Sequence, residues 1–394
     1  MLKHIVFAMF GCLYAVMGLS QTNQTDQVLR AIEQNNKELK TFQSLMESRS
    51  LEYKASNNLP DPQASAFYLP FGEHATGDYS EFQVSQSFEF PTVYAARGNW
   101  IDKQEQQLEL EYARMRQEVL LPAKKYCFEL ISLAIRKEIV QQRMQQARQV
   151  LAQVQVLFDN EQVGILQLNK AKIAWMQDQF QTEQIEIERS NLLISLQRLN
   201  GGQVIVFDQK VFTTDLKLGN ADSLWQQKKA ADPEIVASVG QEDVSLQQIK
   251  VEKNKLLPNL TAGFNYQGVM GSNYSGLYGG ISIPIWSGKN KVKAAEAKYQ
   301  YQQSKTEAVT TALYSTFLEQ YNQYDLIFRK YQEYQSTLEG LNSERLLLEA
   351  YQLGEISFMD YYIELQFYRQ AYDQMLQMEK ELNLLKAEIL KHQL

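Results

Sequence analysis

Few residues in this chain are of the type and spacing that make and break bonds. The three histidines, His4, His74 and His392, lie far apart, so spacing pairs no imidazole with a nucleophile. No Gly-x-Ser-x-Gly elbow presents a serine, and Gly288-Lys289 lacks the glycine-rich run that wraps a phosphate. Cys12 and Cys127 have no neighbouring Cys or His to complete a metal site. Met375 and Met378, three residues apart, fit a packing seam rather than a soft-metal cluster. No catalytic residue, metal or cofactor is expected, and the protein reads as a non-enzyme. A formal net charge of −7 without a Lys/Arg stripe argues against nucleic acid as a partner.

The order in the chain lies in its hydrophobic periods. From Tyr79 to Phe90 the even positions (Phe82, Val84, Gln86, Phe88, Phe90) are mostly apolar and the odd ones are polar, the mark of a strand with one dry face. A second alternating run, Tyr274 to Trp286, follows about 195 residues later, with Leu277, Ile281, Ile283 and Ile285 on one face. Each is preceded by another such run, Ala64 to Phe71 and Asn259 to Gly268, which predicts two hairpins. Long helical stretches surround them. Heptad steps run through Leu108, Tyr112, Met115 and Val119, through Val140, Met144, Ala147, Leu151, Val154 and Phe158, through Phe317, Tyr321, Tyr324, Phe328 and Tyr331, and from Tyr368 to Ile389. Pro122 is expected to kink or divide its helix.

The segments repeat in order. Leu59-Pro60 matches Leu257-Pro258, Tyr79-Ser80 matches Tyr274-Ser275, and Val163 to Leu168 matches Ile356 to Tyr361. The expected organisation is a signal peptide over 1–20, a first repeat over 21–202, a connector over 203–221 of short strands or extended chain, and a second repeat over 222–394. Strands are expected at about 63–71, 79–90, 259–268 and 274–286. Helices are expected at about 26–56, 97–158, 165–200, 289–350 and 358–391. The signal reading rests on Lys3 and His4 before the apolar run Ile5 to Met17, with small residues after it. Cys12 is followed by more apolar residues, which argues against a lipidation signal, and Cys127 reads as a buried small hydrophobe.

No later run reaches the roughly 18 to 20 apolar residues of a membrane-spanning helix. Strands of about 10 residues do suit the hydrocarbon thickness when tilted. A spanning sheet cannot keep open edges in lipid, and single-chain barrels start at about eight strands. A chain with four strands is therefore expected to share a barrel with other copies.

The doubled plan, the Leu-Pro before each first strand, Ser85-Gln-Ser-Phe-Glu89, Pro284-Ile-Trp-Ser-Gly288 and Tyr351-Gln-Leu-Gly354-Glu-Ile-Ser357 with Asp360 resemble the TolC-type outer-membrane efflux channels. The resemblance covers essentially all of the mature chain. It implies a mainly α fold with a β-barrel contribution: a homotrimer whose twelve-stranded barrel lies in outer-membrane lipid and whose coiled-coil tunnel projects into the periplasm. It further implies a passive exit duct of a tripartite efflux or type I secretion system, partnered by a periplasmic adaptor and an inner-membrane pump, for drugs, metal ions or other substrates. A periplasmic coiled-coil adaptor or a structural envelope protein is the alternative.

In that family a constriction carries Tyr three residues before a Gly, Arg two after it, and Asp six and nine after it. Around Gly354, Tyr351 and Asp360 match, whereas Ile356 and Ile363 replace the Arg and the second Asp. The resemblance thus implies Tyr351, Gly354 and Asp360 as pore or gate residues. In a threefold pore Asp360 would form a ring of three carboxylates, which favours cations; the same residue also suits a solvated helix terminus. Glu161, Val163, Gly164 and Ile165 of the first repeat, with Glu355, Ile356 and Ser357 of the second, are the implied adaptor-docking tips.

Overall fold

The computed structural model of the chain describes residues 23–69, 78–213, 215–269, 271–338 and 343–394. The expected signal peptide, with His4 and Cys12, and most of the first hairpin loop, with His74, lie outside the described residues. In chain order the elements are α1 (Gln24–Asn35), α2 (Lys37–Ala55), β1 (Gln63–Leu69), β2 (Tyr79–Phe88), α3 (Pro91–Asp159), α4 (Ile165–Leu199), α5 (Ala221–Ala231) and α6 (Pro233–Asn254). They continue with β3 (Asn259–Val269), β4 (Ser272–Ser282), α7 (Lys291–Leu338), α8 (Ser343–Gln352), α9 (Phe358–Ile389) and a 3-10 turn, Lys391–Gln393.

The helix expected over 26–56 is two helices. Asn36 is extended (φ −60°, ψ 127°) and its side chain accepts the Leu39 N–H at 3.0 Å, so it closes α1 and caps α2. The second half breaks in the same way at Asp232 (φ −67°, ψ 119°), which accepts from Glu234 N at 3.1 Å ahead of Pro233. Asp232 also grips Lys228 at 2.7 Å, and both side chains are buried. Burial pushes the Lys228 pKa down, with Asp232 opposing the shift. At Asn36 a polar letter in a polar-rich helix does not announce such a break, which is why periodicity alone runs through it; at Asp232 the following Pro233 does.

Helix α3 begins at Pro91, ahead of the expected 97, because proline suits the first helical turn and Val93 N donates to Phe90 O at 2.8 Å. Pro122 does not divide it. A proline in a helix interior costs about 3 kcal/mol; the fully buried flanks Leu120 and Ala123 supply packing that offsets this. The stretch expected as one helix to residue 350 is described as α7 and α8, with 339–342 outside the described residues. The connector over 203–219 carries no helix or strand among its described residues.

The four strands form one antiparallel sheet in the order β1-β2-β3-β4. Within the hairpins, Gln63 pairs with Ser85 and Leu69 with Tyr79, while Thr261 pairs with Gly280 and Gln267 with Tyr274. The second set is the first carried over by the same offsets that superpose Leu59-Pro60 on Leu257-Pro258 and Tyr79 on Tyr274. Across the middle, β2 pairs with β3 from Tyr79↔Val269 to Phe88↔Leu260. One face collects Ala66, Phe82, Val84, Leu260, Phe264, Leu277 and Ile281. The other collects Glu81, Gln83, Ser85, Ser87, Thr261, Asn265 and Gln267, with Phe67 and Leu69 of β1 as apolar exceptions, Phe67 directly opposite Glu81. On that polar face the Tyr278 ring lies across Gly263, where a Cβ would collide with it, and Tyr278 Oη bonds Gln83. Strand β4 stops at Ser282, short of the expected 286. Pro284 has no N–H for a ladder and restricts the residue before it.

The chain divides into two compact units, each described by itself. The unit of Asn36–Pro122, Leu216–Leu341 and Gln377–Leu394 contains the sheet and is centred on Phe317 and Tyr324 of α7, packed with Leu224, Leu382 and Ile389. The aromatic seam expected from spacing, Phe317 to Tyr331, lies in this cluster. Tyr321 Oη donates to Gly219 O at 3.1 Å and Tyr324 Oη to Leu216 O, which holds the connector's end.

The unit of Met1–Asn35, Ala123–Asp215 and Asn342–Leu376, in its described parts, buries Leu133, Val140 and Ile185 together and encloses Cys127. Burial pushes the Cys127 thiol up to about 12. On α4, Leu166, Ile173, Phe180, Ile187 and Ile194 recur every seven residues and are each more than half exposed. Among the described residues no helix is long and apolar enough to cross a membrane.

The two capped breaks differ in load. Asn36→Ala is expected to cost about 1 kcal/mol, a lost cap. Asp232→Ala is expected to cost about 3–5 kcal/mol, because it also strands the buried Lys228 ammonium. Thermal unfolding followed by circular dichroism checks the order; equal losses would mean that Lys228 is solvated or neutral.

Candidate functional site

The residues marked by sequence fall on two turns of one unit, one between α3 and α4 and one between α8 and α9. The turns are built alike. At the first, Glu161 N donates to Phe158 O (2.9 Å) and Gln162 N to Leu157 O (2.8 Å). At the second, Gly354 N donates to Tyr351 O (3.1 Å) and Glu355 N to Ala350 O (2.9 Å). Both patterns close a helix through a left-handed residue, Glu161 at φ +59° and Gly354 at φ +74°. A few residues later each new helix is capped. The Gly164 N–H donates to Gln167 Oε1 at 3.0 Å. Ser357 Oγ donates to Asp360 Oδ2 at 2.6 Å and accepts from Asp360 N at 3.2 Å.

Position by position, Phe158, Glu161, Val163, Gly164 and Gln167 correspond to Tyr351, Gly354, Ile356, Ser357 and Asp360. The turns meet through their apolar members. Val163, Phe158, Tyr351 and Ile356 pack against a buried cluster that includes Val154 of α3, Leu168 of α4 and Phe358, Tyr361 and Leu365 of α9. Tyr351 stacks on Tyr361 at 5.2 Å between centroids and meets Phe358 edge-on. Burial raises the pKa of both tyrosines, so each stays a neutral phenol at physiological pH. Gly164, Glu161, Ile165, Glu355 and Ser357 face solvent, as does Asp360, whose carboxylate is engaged by Ser357. The marked residues thus split into an apolar clasp that joins the turns and an exposed rim, polar apart from Ile165, that remains open.

Sequence reading missed a set of buried charges in the same unit. Arg143 Nη1 of α3 donates to both carboxylate oxygens of Asp373 of α9 (2.9 and 3.0 Å), and its Nε lies 3.7 Å from Glu344 of α8. Arg369 of α9 reaches Asp178 of α4 at 3.5 Å, Glu344 at 3.5 Å and Gln146 of α3 at 3.2 Å. The two guanidinium groups tie four helices together. Burial raises the Asp178 pKa, with Arg369 and Arg143 opposing it. The signal was partly present. The heptad through Val140, Met144, Ala147, Leu151, Val154 and Phe158 shares Val140 and Val154 with the most buried positions of this stretch, but Arg143 and Val150, each one letter before a heptad position, are buried too. A helix with neighbours on several sides buries a band wider than a two-position seam, and the arginines sit in that band.

Catalytic geometry is not assembled among the described residues. His392 has no hydrogen-bond partner on either ring nitrogen, and burial, reinforced by Lys228, lowers its pKa. No group of three His, Cys, Asp or Glu is clustered to hold a metal.

No protein-family model matches the sequence, and no curated relative matches it. Solved structures do. A membrane protein of Pseudomonas aeruginosa superposes with a TM-score of 0.76 at 11% identity, over 94% of this chain and 92% of that one. The transmembrane channel CusC gives 0.73 at 13% identity over 93% and 92%. The Campylobacter jejuni outer membrane channel CmeC gives 0.70 at 16% identity over 94% and 85%. The chain therefore has the fold of the TolC-type outer-membrane channels, mainly helical with a small antiparallel sheet.

The two turns carry their left-handed residue at different strain. Glu161→Gly is expected to stabilise the protein by about 1 kcal/mol and Gly354→Ala to destabilise it by about as much. Thermal midpoints of the two variants check this, and a destabilised Glu161→Gly would point to a contact of the glutamate that outweighs its backbone strain.

Proposed function

We propose that this protein is the outer-membrane exit channel of a tripartite efflux or type I secretion system, working as a homotrimer without catalysis. The observation that carries the reading is the sheet: four strands with one apolar face, in a fold shared with outer-membrane channels along nearly the whole chain. Its end strands β1 and β4 each have one neighbour, and lipid tolerates no such edge. Three copies joined β4 to β1 close a twelve-stranded barrel. The β2–β3 joint supplies a template for that seam, because β4 repeats β2 and β1 repeats β3. Carried over by the repeat offsets, Gln83↔Asn265 becomes Tyr278 of one copy against Phe67 of the next. The exposed seven-residue line on α4 supports the same assembly, since a helix of a neighbouring copy fits such a line.

In this reading the helices extend from the outer membrane into the periplasm. The exposed rim of Glu161, Gly164, Ile165, Glu355 and Ser357, backed by the clasp residues Val163 and Ile356, docks the periplasmic adaptor. The adaptor in turn connects to the inner-membrane pump. Tyr351, Gly354 and Asp360 line the pore at the tip, where three copies of Asp360 favour cations.

Two measurements test it. Phe67→Cys with Tyr278→Cys is expected to yield disulfide-linked trimers in outer-membrane fractions, with Cys127 too buried to interfere; a water-soluble monomer would return the chain to the periplasmic-adaptor reading. Asp360→Asn is expected to lower cation preference several-fold in single-channel recordings at about 0.1 M salt, where screening is weak. Unchanged selectivity removes Asp360 from the pore.

A further inference from the structure

We propose that Glu81 of β2 is a selectivity-determining residue of the barrel lumen; the inference rests on the exit-channel reading above. Among the residues of the four strands, Glu81 is the only side chain that is a carboxylate or a base. It stands on the polar face with Gln83, Ser85, Asn265 and Gln267, the face that turns inward when the apolar face meets lipid. It is held in place from two sides: Tyr79 Oη donates to Glu81 Oε2 at 2.6 Å and Asn265 Nδ2 donates to Oε1 at 2.6 Å. Asp78, just before the strand, lies on the opposite parity and is bound by Tyr68 Oη at 3.2 Å. Glu81 is thus the charge that the wall of the pore presents, and its neighbours present it as an acceptor with fixed geometry.

Barrel geometry sets how far that charge reaches. Twelve strands about 4.8 Å apart and tilted by about 40° give a backbone radius of about 12 Å. A glutamate pointing inward then brings its carboxylate to about 7 Å from the axis, within one Debye length at 0.1 M salt and beyond two at 1 M. Three such carboxylates enrich cations and exclude anions along the axis. The cation-to-anion permeability ratio they contribute is on the order of tenfold at 0.1 M salt and under about twofold at 1 M.

The test is reversal potential under a salt gradient, measured on single channels of the full protein. Glu81→Gln keeps an acceptor for Asn265 and is expected to reduce the permeability ratio by about tenfold at 0.1 M and by under about twofold at 1 M. Glu81→Cys supplies a second route, independent of how the glutamine variant folds. After insertion, a negatively charged methanethiosulfonate is expected to restore cation preference and a positively charged one to invert it. Channels whose selectivity is indifferent to both substitutions and both reagents would overturn the role of Glu81 and leave the channel reading intact. Wild-type protein that gives no conductance steps would overturn the channel reading itself.

Discussion

The pairing of β2 with β3 is the joint on which the rest depends. It runs over ten residue pairs, joins the first half of the chain to the second, and turns two hairpins that would each be marginal in water into one sheet. Its register decides which side chains share a face. A slip by one residue would turn Phe82 and Val84 to the polar side and Glu81 to the apolar one. Tyr278 lying across Gly263 helps pin the neighbouring β3–β4 register, since no other residue at 263 leaves room for the ring, and its bond with Gln83 reaches across to β2.

How much of this could be read from letters differs by element. Alternation located β2, β3 and β4 because one face of each is apolar, and β1 despite Phe67 and Leu69 falling on the polar face; heptad steps located Phe317 and Tyr324 because an aromatic seam repeats without interruption. Strand ends were not legible, even at Pro284: the alternation of Ile283 and Ile285 carries the expected strand to 286, past the point where the backbone can still pair. The break at Asn36 was invisible, because a single capping residue carries it and leaves the apolar period on both sides unchanged, whereas the Asp232-Pro233 pair does carry a helix-start signal.

The tips show a finer limit. Gly354 announces a left-handed turn, whereas Glu161 occupies the same conformation with a residue that gives no hint of it. Correspondence with the second turn, more than any property of glutamate, marks the first. The buried arginines escaped for a related reason. Met144 and Tyr368 satisfy the heptad, and their neighbours Arg143 and Arg369 look like solvated charges until four helices close around them. Charges in such a position add little net stability, because desolvation consumes much of the Coulomb gain.

The line of five large apolar side chains on α4 also bears on the single chain, ahead of the trimer proposed above. A single copy in water carries that line, together with two open strand edges, and both are adhesive toward any extended or amphipathic segment. If the chain works as the homotrimer proposed above, its fate is a race between self-encounter and capture by holdases or proteases. Self-encounter would rise with a higher power of concentration than capture does, so the yield of trimer would depend more than proportionally on the rate of synthesis.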